Sequence, residues 1–386
     1  MRVIIIHHIL WAHYKNAFYE ELQNQAAQTK NLEVKILQIA KSERSREEMP
    51  LSEIPTYPHQ LLFDAVLESI PKKAIFKAIL HEINTFKPQV VNINGFFTWY
   101  HILTAVYCKL RGIKIILSND STATDNPAVW WKDALKKTMV SLADAYYCFG
   151  SRSAEYLLLH GAKPDLFISK RGAVVNNQFV ANQFQANLPF KEQLKNELGV
   201  GTQKNIIYVG RFIDFKNLPL LLIAFQKSKQ PNWGLLLLGD GILKQNLEAQ
   251  MTTEKIDNIY FLGGKPWQEV PKYLTLADVL VLPSKSEPWG LVVNEAMICG
   301  LPVVVSDRCG SAIDLVKEDE TGFSFQFDDE KQLVAIFSKI MKNEIDLTTM
   351  GANAKEKIKQ FSVENAAKDM IDGFLKLGKQ LNKSNL

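Results

Sequence analysis

Short, wholly apolar runs recur along the chain, and each is followed by a longer stretch in which apolar residues return every three or four positions. Runs without alternation fit strands buried on both faces, and the intervening period fits helices. In the first half the pattern predicts strands at Arg2–Ile6, Glu33–Ile39, Gln89–Ile93, Lys114–Ser118 and Ala145–Phe149. It predicts helices at Tyr14–Thr29, Leu61–Phe86, Trp99–Leu110 and Trp130–Leu142. The rhythm restarts in the second half, with strands at Asn205–Val209, Gly234–Leu238, Ile259–Leu262, Val279–Leu282, Pro302–Val305 and Gly322–Gln326. Such alternation implies an α/β fold of parallel sheets with crossover helices.

Between the halves, Arg171 to Gly201 is polar and rich in Asn and Gln, and it reads as a connecting region. The expected organisation is a first domain over 1–180, a hinge over 181–203, a second domain over 204–362 and a terminal helix over 363–386. That helix carries Ala366, Met370, Phe374 and Leu377 on one face. A chain of 386 residues with 47% hydrophobic and 22% charged residues can fill two cores. Its net charge of +4 suits an anionic ligand or a lipid surface and is too weak to indicate nucleic acid.

The four cysteines, Cys108, Cys148, Cys299 and Cys309, have no metal-ligand spacing, so neither a zinc site nor a disulfide framework is expected. Arg2 precedes an apolar run that His7 and His8 end, which reads as a buried strand and not as a signal peptide. No stretch approaches the roughly 20 apolar residues of a membrane span. The expected location is cytoplasmic. Phe63, Val66, Ile70, Ile75, Ile79 and Ile83, with Lys72, Lys73 and Lys77, describe amphipathic helices near a basic patch. They suit packing on the first sheet or peripheral contact with anionic lipid at the inner membrane face.

Open parallel sheets bind ligands beyond the carboxyl ends of their strands. The segment Ser286-Glu287-Pro288-Trp289-Gly290-Leu291-Val292-Val293-Asn294-Glu295 follows such a strand and leads into a helix. Backbone N–H groups around Gly290 and Leu291, at the positive helix pole, form a site for phosphate or a hydroxyl-rich ligand. Glu295 falls among apolar neighbours, where a carboxylate needs a hydrogen-bond donor such as ribose hydroxyls. A dipole-stabilised acid or an internal ion pair would explain it equally. Arg211 and Lys216, in the loop opened by Gly210, suit a diphosphate, or else form a solvated basic loop. Gly239-Asp240-Gly241 marks a tight turn, and Arg308 to Asp314 follows another strand where it would close a phosphate pocket.

These residues carry a resemblance. Glu287 and Glu295, with seven residues between them, together with Gly210-Arg211 and Lys216, Ala277 to Ser284, and Thr321-Gly322, are similar to the motifs of the retaining glycosyltransferases of family 4. The likeness runs from about Asn205 to Phe327. It implies the GT-B architecture: two Rossmann-like domains facing a central cleft, with the C-terminal helix crossing back to the first. It also implies roles. Arg211 and Lys216 neutralise the leaving diphosphate, Glu295 binds the ribose, and Glu287 holds sugar hydroxyls beside backbone groups of Trp289, Gly290 and Leu291. Gly210, Gly241 and Lys265 complete the donor site, with Gly263-Gly264-Lys265 lying near the base.

The first half departs from that family's pattern. The loop after the first strand, His7 to Lys15, lacks glycines. Its histidines, His13 among them, and Lys15 suit an acceptor or merely satisfy backbone groups. Gly95, in the run Asn92 to Phe97 that follows another strand, should also face the cleft. Asn119 and Asp120 stand where relatives place a histidine and an aspartate against the sugar, and an Asx-rich turn would account for them too.

The expected activity is a hexosyl transfer from a nucleoside-diphosphate-sugar to an acceptor hydroxyl (glycan, lipid-linked or small molecule), with retained anomeric configuration, in polysaccharide or glycoconjugate biosynthesis. Neither an essential metal nor a cofactor is expected. The competing readings are a non-catalytic nucleotide-sugar-binding subunit, or an epimerase or phosphorylase on the same fold.

Overall fold

The computed structural model describes residues 1–10, 13–44, 55–95, 98–124 and 129–384. The chain divides into two compact units. One comprises Met1–Val175 and Phe361–Leu386, and the other Asn176–Gln360.

The first unit is built on β1 (Arg2–Ile9), β2 (Glu33–Ser42), β3 (Gln60–Val66), β4 (Val90–Asn94), β5 (Lys114–Asn119), β6 (Ala145–Cys148) and β7 (Phe167–Ser169). All pair in parallel in the order β3-β2-β1-β4-β5-β6-β7. Helices α1 (His13–Gln28), α2 (Lys72–Phe86), α3 (Trp99–Leu110), α4 (Trp130–Leu142) and α5 (Ser151–Leu159) connect the strands. On one face, Ile4, Ile6, Ile39, Val91 and Leu117 join Ile75, Ile79 and Ile83 of α2 and Met139 of α4 in one core. The alternate residues Val3, Ile5, Ile36 and Ile116 are buried too, so the sheet is covered on both sides, which is why its strands read as continuous apolar runs.

The sequence places a helix across Leu61–Phe86, and here the structure differs. Residues Gln60–Val66 form the edge strand β3, and α2 begins only after Pro71. Every residue of this strand except the exposed Asp64 is partly buried, and pairing with β2 rather than any periodicity fixes it as an edge strand. The short β7 escapes a periodicity reading because three residues carry no pattern.

The second unit carries β8 (Lys204–Val209), β9 (Trp233–Leu238), β10 (Ile259–Gly263), β11 (Val279–Leu282), β12 (Val303–Ser306) and β13 (Gly322–Phe325), parallel and ordered β10-β9-β8-β11-β12-β13. The polar stretch expected to act as a hinge holds two helices, α6 (Asn177–Asn187) and α7 (Lys191–Glu197), and lies within this unit. Asn176 caps α6 by accepting from Phe179 N at 3.0 Å. Then follow α8 (Leu218–Ser228), α9 (Lys244–Glu254), α10 (Val270–Leu274), α11 (Leu291–Ile298), α12 (Ser311–Leu315), α13 (Glu330–Met341) and α14 (Leu347–Ile358).

The last helix, α15 (Val363–Ser384), returns to the first unit, where it packs along α1. Ala366, Met370, Phe374 and Leu377 are all buried, as their spacing predicts. A two-pronged ion pair fixes its register: Arg171 Nε and Nη2 donate to the Asp369 carboxylate at 2.7 and 2.8 Å, and Ser169 Oγ donates to the same group at 2.7 Å.

Candidate functional site

In each sheet the strand order reverses once, between β1 and β4 and between β8 and β11. Loops leaving adjacent strands at such a point diverge and open a crevice at the carboxyl ends.

In the second unit the loop after β8 and the loop after β11 meet there. Lys285 N–H donates to Phe215 O at 2.8 Å, and Lys216 Nζ donates to Glu287 Oε2 in an ion pair whose side chains are each 16% exposed. The residue types singled out from sequence are thus in contact, with the cation and the sugar-side carboxylate paired to each other. Arg211 is exposed, and its guanidinium has no hydrogen-bond or ion-pair partner among the described residues. Its carbonyl accepts from Tyr208 Oη at 2.9 Å, which fixes the loop and leaves the side chain free to turn.

Glycines set this geometry. Gly290 caps α11 with φ +88°, and a Cβ there would lie 2.6 Å from Leu282 Cδ2. Only glycine holds this turn without strain, so the amides of Leu291 and Val292 emerge ahead of the first helical hydrogen bond, Val293 N–H to Gly290 O at 2.9 Å. Trp289 is buried, and its Nε1 donates to Asn294 Oδ1 at 2.7 Å. The Glu287–Gly290 turn is clamped from the other side, where Gly310 N–H donates to Glu287 O at 2.9 Å and Ser311 N–H to Trp289 O at 3.1 Å.

The turn after β9 proves to be a support for the Gly210 loop. Gly210 N–H donates to Leu238 O at 3.0 Å and Phe212 N–H to Asp240 O at 2.8 Å, while Gly241 O accepts from Lys244 N–H at 3.0 Å. A Cβ on Gly239 would fall 1.9 Å from Gly210 O. Lys265 is exposed, with Nζ 5.4 Å from the centre of the Tyr273 ring.

Glu295 sits one turn into α11 with no hydrogen-bond or ion-pair partner among the described residues. Burial pushes its carboxyl up to about 8. An internal ion pair does not account for this acid. Glu295 thus lies on the helix whose first amides follow the Glu287–Gly290 turn, as a buried acid that no ion pair explains.

The first unit has its own cavity of about 170 Å³ at the β1/β4 reversal. His7, His8, Lys15, Gly95, His101, Asn119 and Asp120 line it. Gly95 lies against the His8 ring. Asn119 is buried and occupied: its amide donates to Ser121 O and Ser153 O, each at 2.9 Å, and its Oδ1 accepts from Ser121 N–H at 3.2 Å. That is the Asx turn, and it uses both amide hydrogens on the backbone. Asp120 is exposed at the rim. α1 starts at His13, whose side chain lies outside the described residues. His7 Nδ1 hydrogen-bonds Gln38 Oε1 and Ile9 O, both at 3.0 Å, and burial together with Lys15 lowers its pKa to about 3. His7 is therefore one of the histidines that satisfies its neighbours.

Sequence reasoning missed His101, on α3, because nothing near it in the chain resembles a motif. Its one signal is position, two helical residues after the loop that follows β4.

The same architecture occurs in enzymes that transfer sugars. Residues 190–357 match the glycosyl transferases group 1 model, and this region of the chain is similar to that family. An uncharacterized glycosyltransferase of Methanocaldococcus jannaschii is 27% identical over 79% of this chain and 86% of its own length. The sulfoquinovosyl transferase of Arabidopsis thaliana is 27% identical over 75% of this chain and 56% of its own length. Among solved structures, Anabaena HepE in complex with UDP superposes over 97% of this chain and 100% of its own, with TM-score 0.73 at 16% identity. The fold is accordingly that of the GT-B glycosyltransferases.

Proposed function

We propose that this protein moves a sugar from a nucleoside-diphosphate-sugar to an acceptor hydroxyl with retention at the anomeric carbon. The observation that carries the reading is the joining of four groups at one end of the second sheet: the Lys216–Glu287 pair, the unpaired Arg211, the amides before α11 and the unpartnered Glu295. The binding of UDP by a protein of the same fold supports it.

In this reading Glu295 accepts from both ribose hydroxyls. Arg211 and Lys216 meet the diphosphate as negative charge grows on the departing oxygen, the work a metal ion does elsewhere. Lys216 passes from Glu287 to phosphate, and Glu287, released, accepts from hydroxyls of the transferred sugar. The departing phosphate oxygen takes the acceptor's proton on the face it leaves, so the new bond forms with the old configuration.

Thermal stabilisation by UDP, GDP, ADP and their sugars tests the donor site, because a ligand that binds only the folded chain raises Tm by mass action. No shift with any of them at millimolar concentration would sink the reading. Anomeric proton couplings of the product decide between retention and inversion.

The exposed face of α3 adds a peripheral membrane contact to the proposal. Trp99, Leu103, Val106 and Leu110 form an exposed apolar stripe at helical spacing, and Trp130 and Trp131 are exposed on the adjoining α4. The exposed lysines of α2, Lys72, Lys73 and Lys77, lie on the helix packed against α3 from its other side. Such a surface suits anionic lipid. No helix among the described residues is long and apolar enough to cross a membrane.

A further inference from the structure

Two groups in the first unit's cavity are not explained by its own packing. Lys15 is 7% exposed, and its ammonium has no hydrogen-bond or ion-pair partner among the described residues. Nζ lies 4.3 Å from the centre of the Phe149 ring and 5.6 Å from that of Phe18. Ring faces attract a cation but offer its three N–H bonds no lone pair. His101 is fully buried, and neither of its ring nitrogens has a hydrogen-bond partner among the described residues. Its ring meets that of His8 edge to face at 5.1 Å. Burial holds both histidines below the ordinary range, so each brings one N–H donor and one lone pair.

An ammonium and two neutral imidazoles around one small cavity ask for a particular ligand. The ammonium can only donate, and away from water it favours a negative partner. Asp120 at the rim acts on Lys15 only at longer range. The imidazoles both donate and accept, which is how a hydroxyl is held. A metal ion does not fit, since Lys15 would repel it and the described residues contain no cluster of three potential ligands.

We propose that this cavity takes a small hydroxylated anion, its phosphate or carboxylate against Lys15 and its hydroxyls against His8 and His101, and that this molecule is the sugar acceptor. The inference rests on the sugar-transfer reading above, because it names the acceptor of that reaction. The cavity volume of about 170 Å³ limits the held portion to a few carbons and the anionic group.

Calorimetric titration of the full chain with glucose 6-phosphate, glucuronate and glucose tests it, since the three share a ring and differ in the end group. At least one anion should bind about 10-fold or more tightly than glucose, and which one reveals whether the group is phosphate or carboxylate. Lys15→Gln should weaken that binding about 10- to 100-fold while nucleotide diphosphates bind as before. Lys216→Ala should leave the anion bound, which separates this cavity from the donor site. Glucose binding as tightly as both anions overturns the proposal, as does a folded Lys15→Gln that holds them as tightly as wild type. If Lys15→Gln does not fold, the comparison of end groups on the wild-type chain decides alone. Failure of every nucleotide to bind wild type would count against the sugar-transfer reading instead.

Discussion

Lys216 and Glu287, 71 positions apart in sequence, close an ion pair between the loops that follow β8 and β11. Each neutralises the other while the site is without ligand, and each has a separate partner in the proposed donor complex. Replacing Lys216 with Met strands Glu287 and should cost about 1–3 kcal/mol of stability, as should Glu287→Gln, which strands Lys216. The double variant should recover most of that loss by denaturant titration. Turnover should stay down by two to three orders of magnitude (roughly 10²–10³) in Lys216→Met and in the double variant, as it should in Arg211→Ala. Recovery of turnover along with stability would show the pair to be structural only.

Glu295 should make the proposed donor site sensitive to pH. Its carboxyl is raised from 4.5 to about 8 in the folded chain, so between those values the folded state keeps a proton that the unfolded state has lost. Stability therefore falls as pH rises through this window. Glu295→Gln should melt with wild type near pH 5 and above it at pH 8. Ribose hydroxyls favour the ionised form, so wild-type affinity for the nucleotide should climb with pH and level off above about 8. The Gln variant should bind at least roughly 10-fold more weakly at pH 8, without that slope. A flat wild-type profile by calorimetry would remove the ribose role.

Gly239 touches no ligand in the proposed complex, yet its substitution should disable the donor loop. An alanine methyl would collide with the carbonyl of Gly210, the residue before Arg211. Gly239→Ala should lose about 1–3 kcal/mol and bind nucleotide more weakly. Unchanged melting and unchanged affinity together would contradict the lacing of these two turns.

Asn119 should behave as a positioning residue. Asn119→Ala removes three hydrogen bonds to the Ser121 and Ser153 backbone, so a drop in Tm is expected. Asn119→Asp should restore only the bond accepted from Ser121 N–H. A change confined to the KM for donor, with Tm unmoved, would assign it to the sugar instead.

Leu110→Ser combined with Trp130→Ala should reduce sedimentation with vesicles containing phosphatidylglycerol several-fold without lowering Tm, since both side chains are more than four-fifths exposed. Equal sedimentation of variant and wild type would exclude this face as the lipid contact.

Much of the architecture was legible because strands buried on both faces leave continuous apolar runs, and because helices such as α15 repeat their apolar residues at fixed spacing. Edge strands obey neither rule, which is how β3 came to be read as part of a helix. In the donor site Glu287, Glu295 and Lys216 stand out in sequence, since a charge among apolar residues or beside a glycine turn needs a reason. The contact between Lys216 and Glu287 was not legible, because it arises from a strand order that brings β8 beside β11. Lys15 was legible only as a loop cation suited to an acceptor, and His101 not at all. Their significance lies in lacking partners, a property that exists only once everything around them is placed.

The first unit is assembled from two stretches of chain with the whole second unit between them. During translation α1 must wait for α15, which leaves the ribosome only after Asn176–Gln360 has emerged, an interval on the order of ten seconds or more. The nascent first unit is thus an unfinished body with an open apolar furrow, while its successor in the chain can already fold. A translational stall between Gln360 and Phe374 would leave a completed second unit attached to a partner in need of a chaperone.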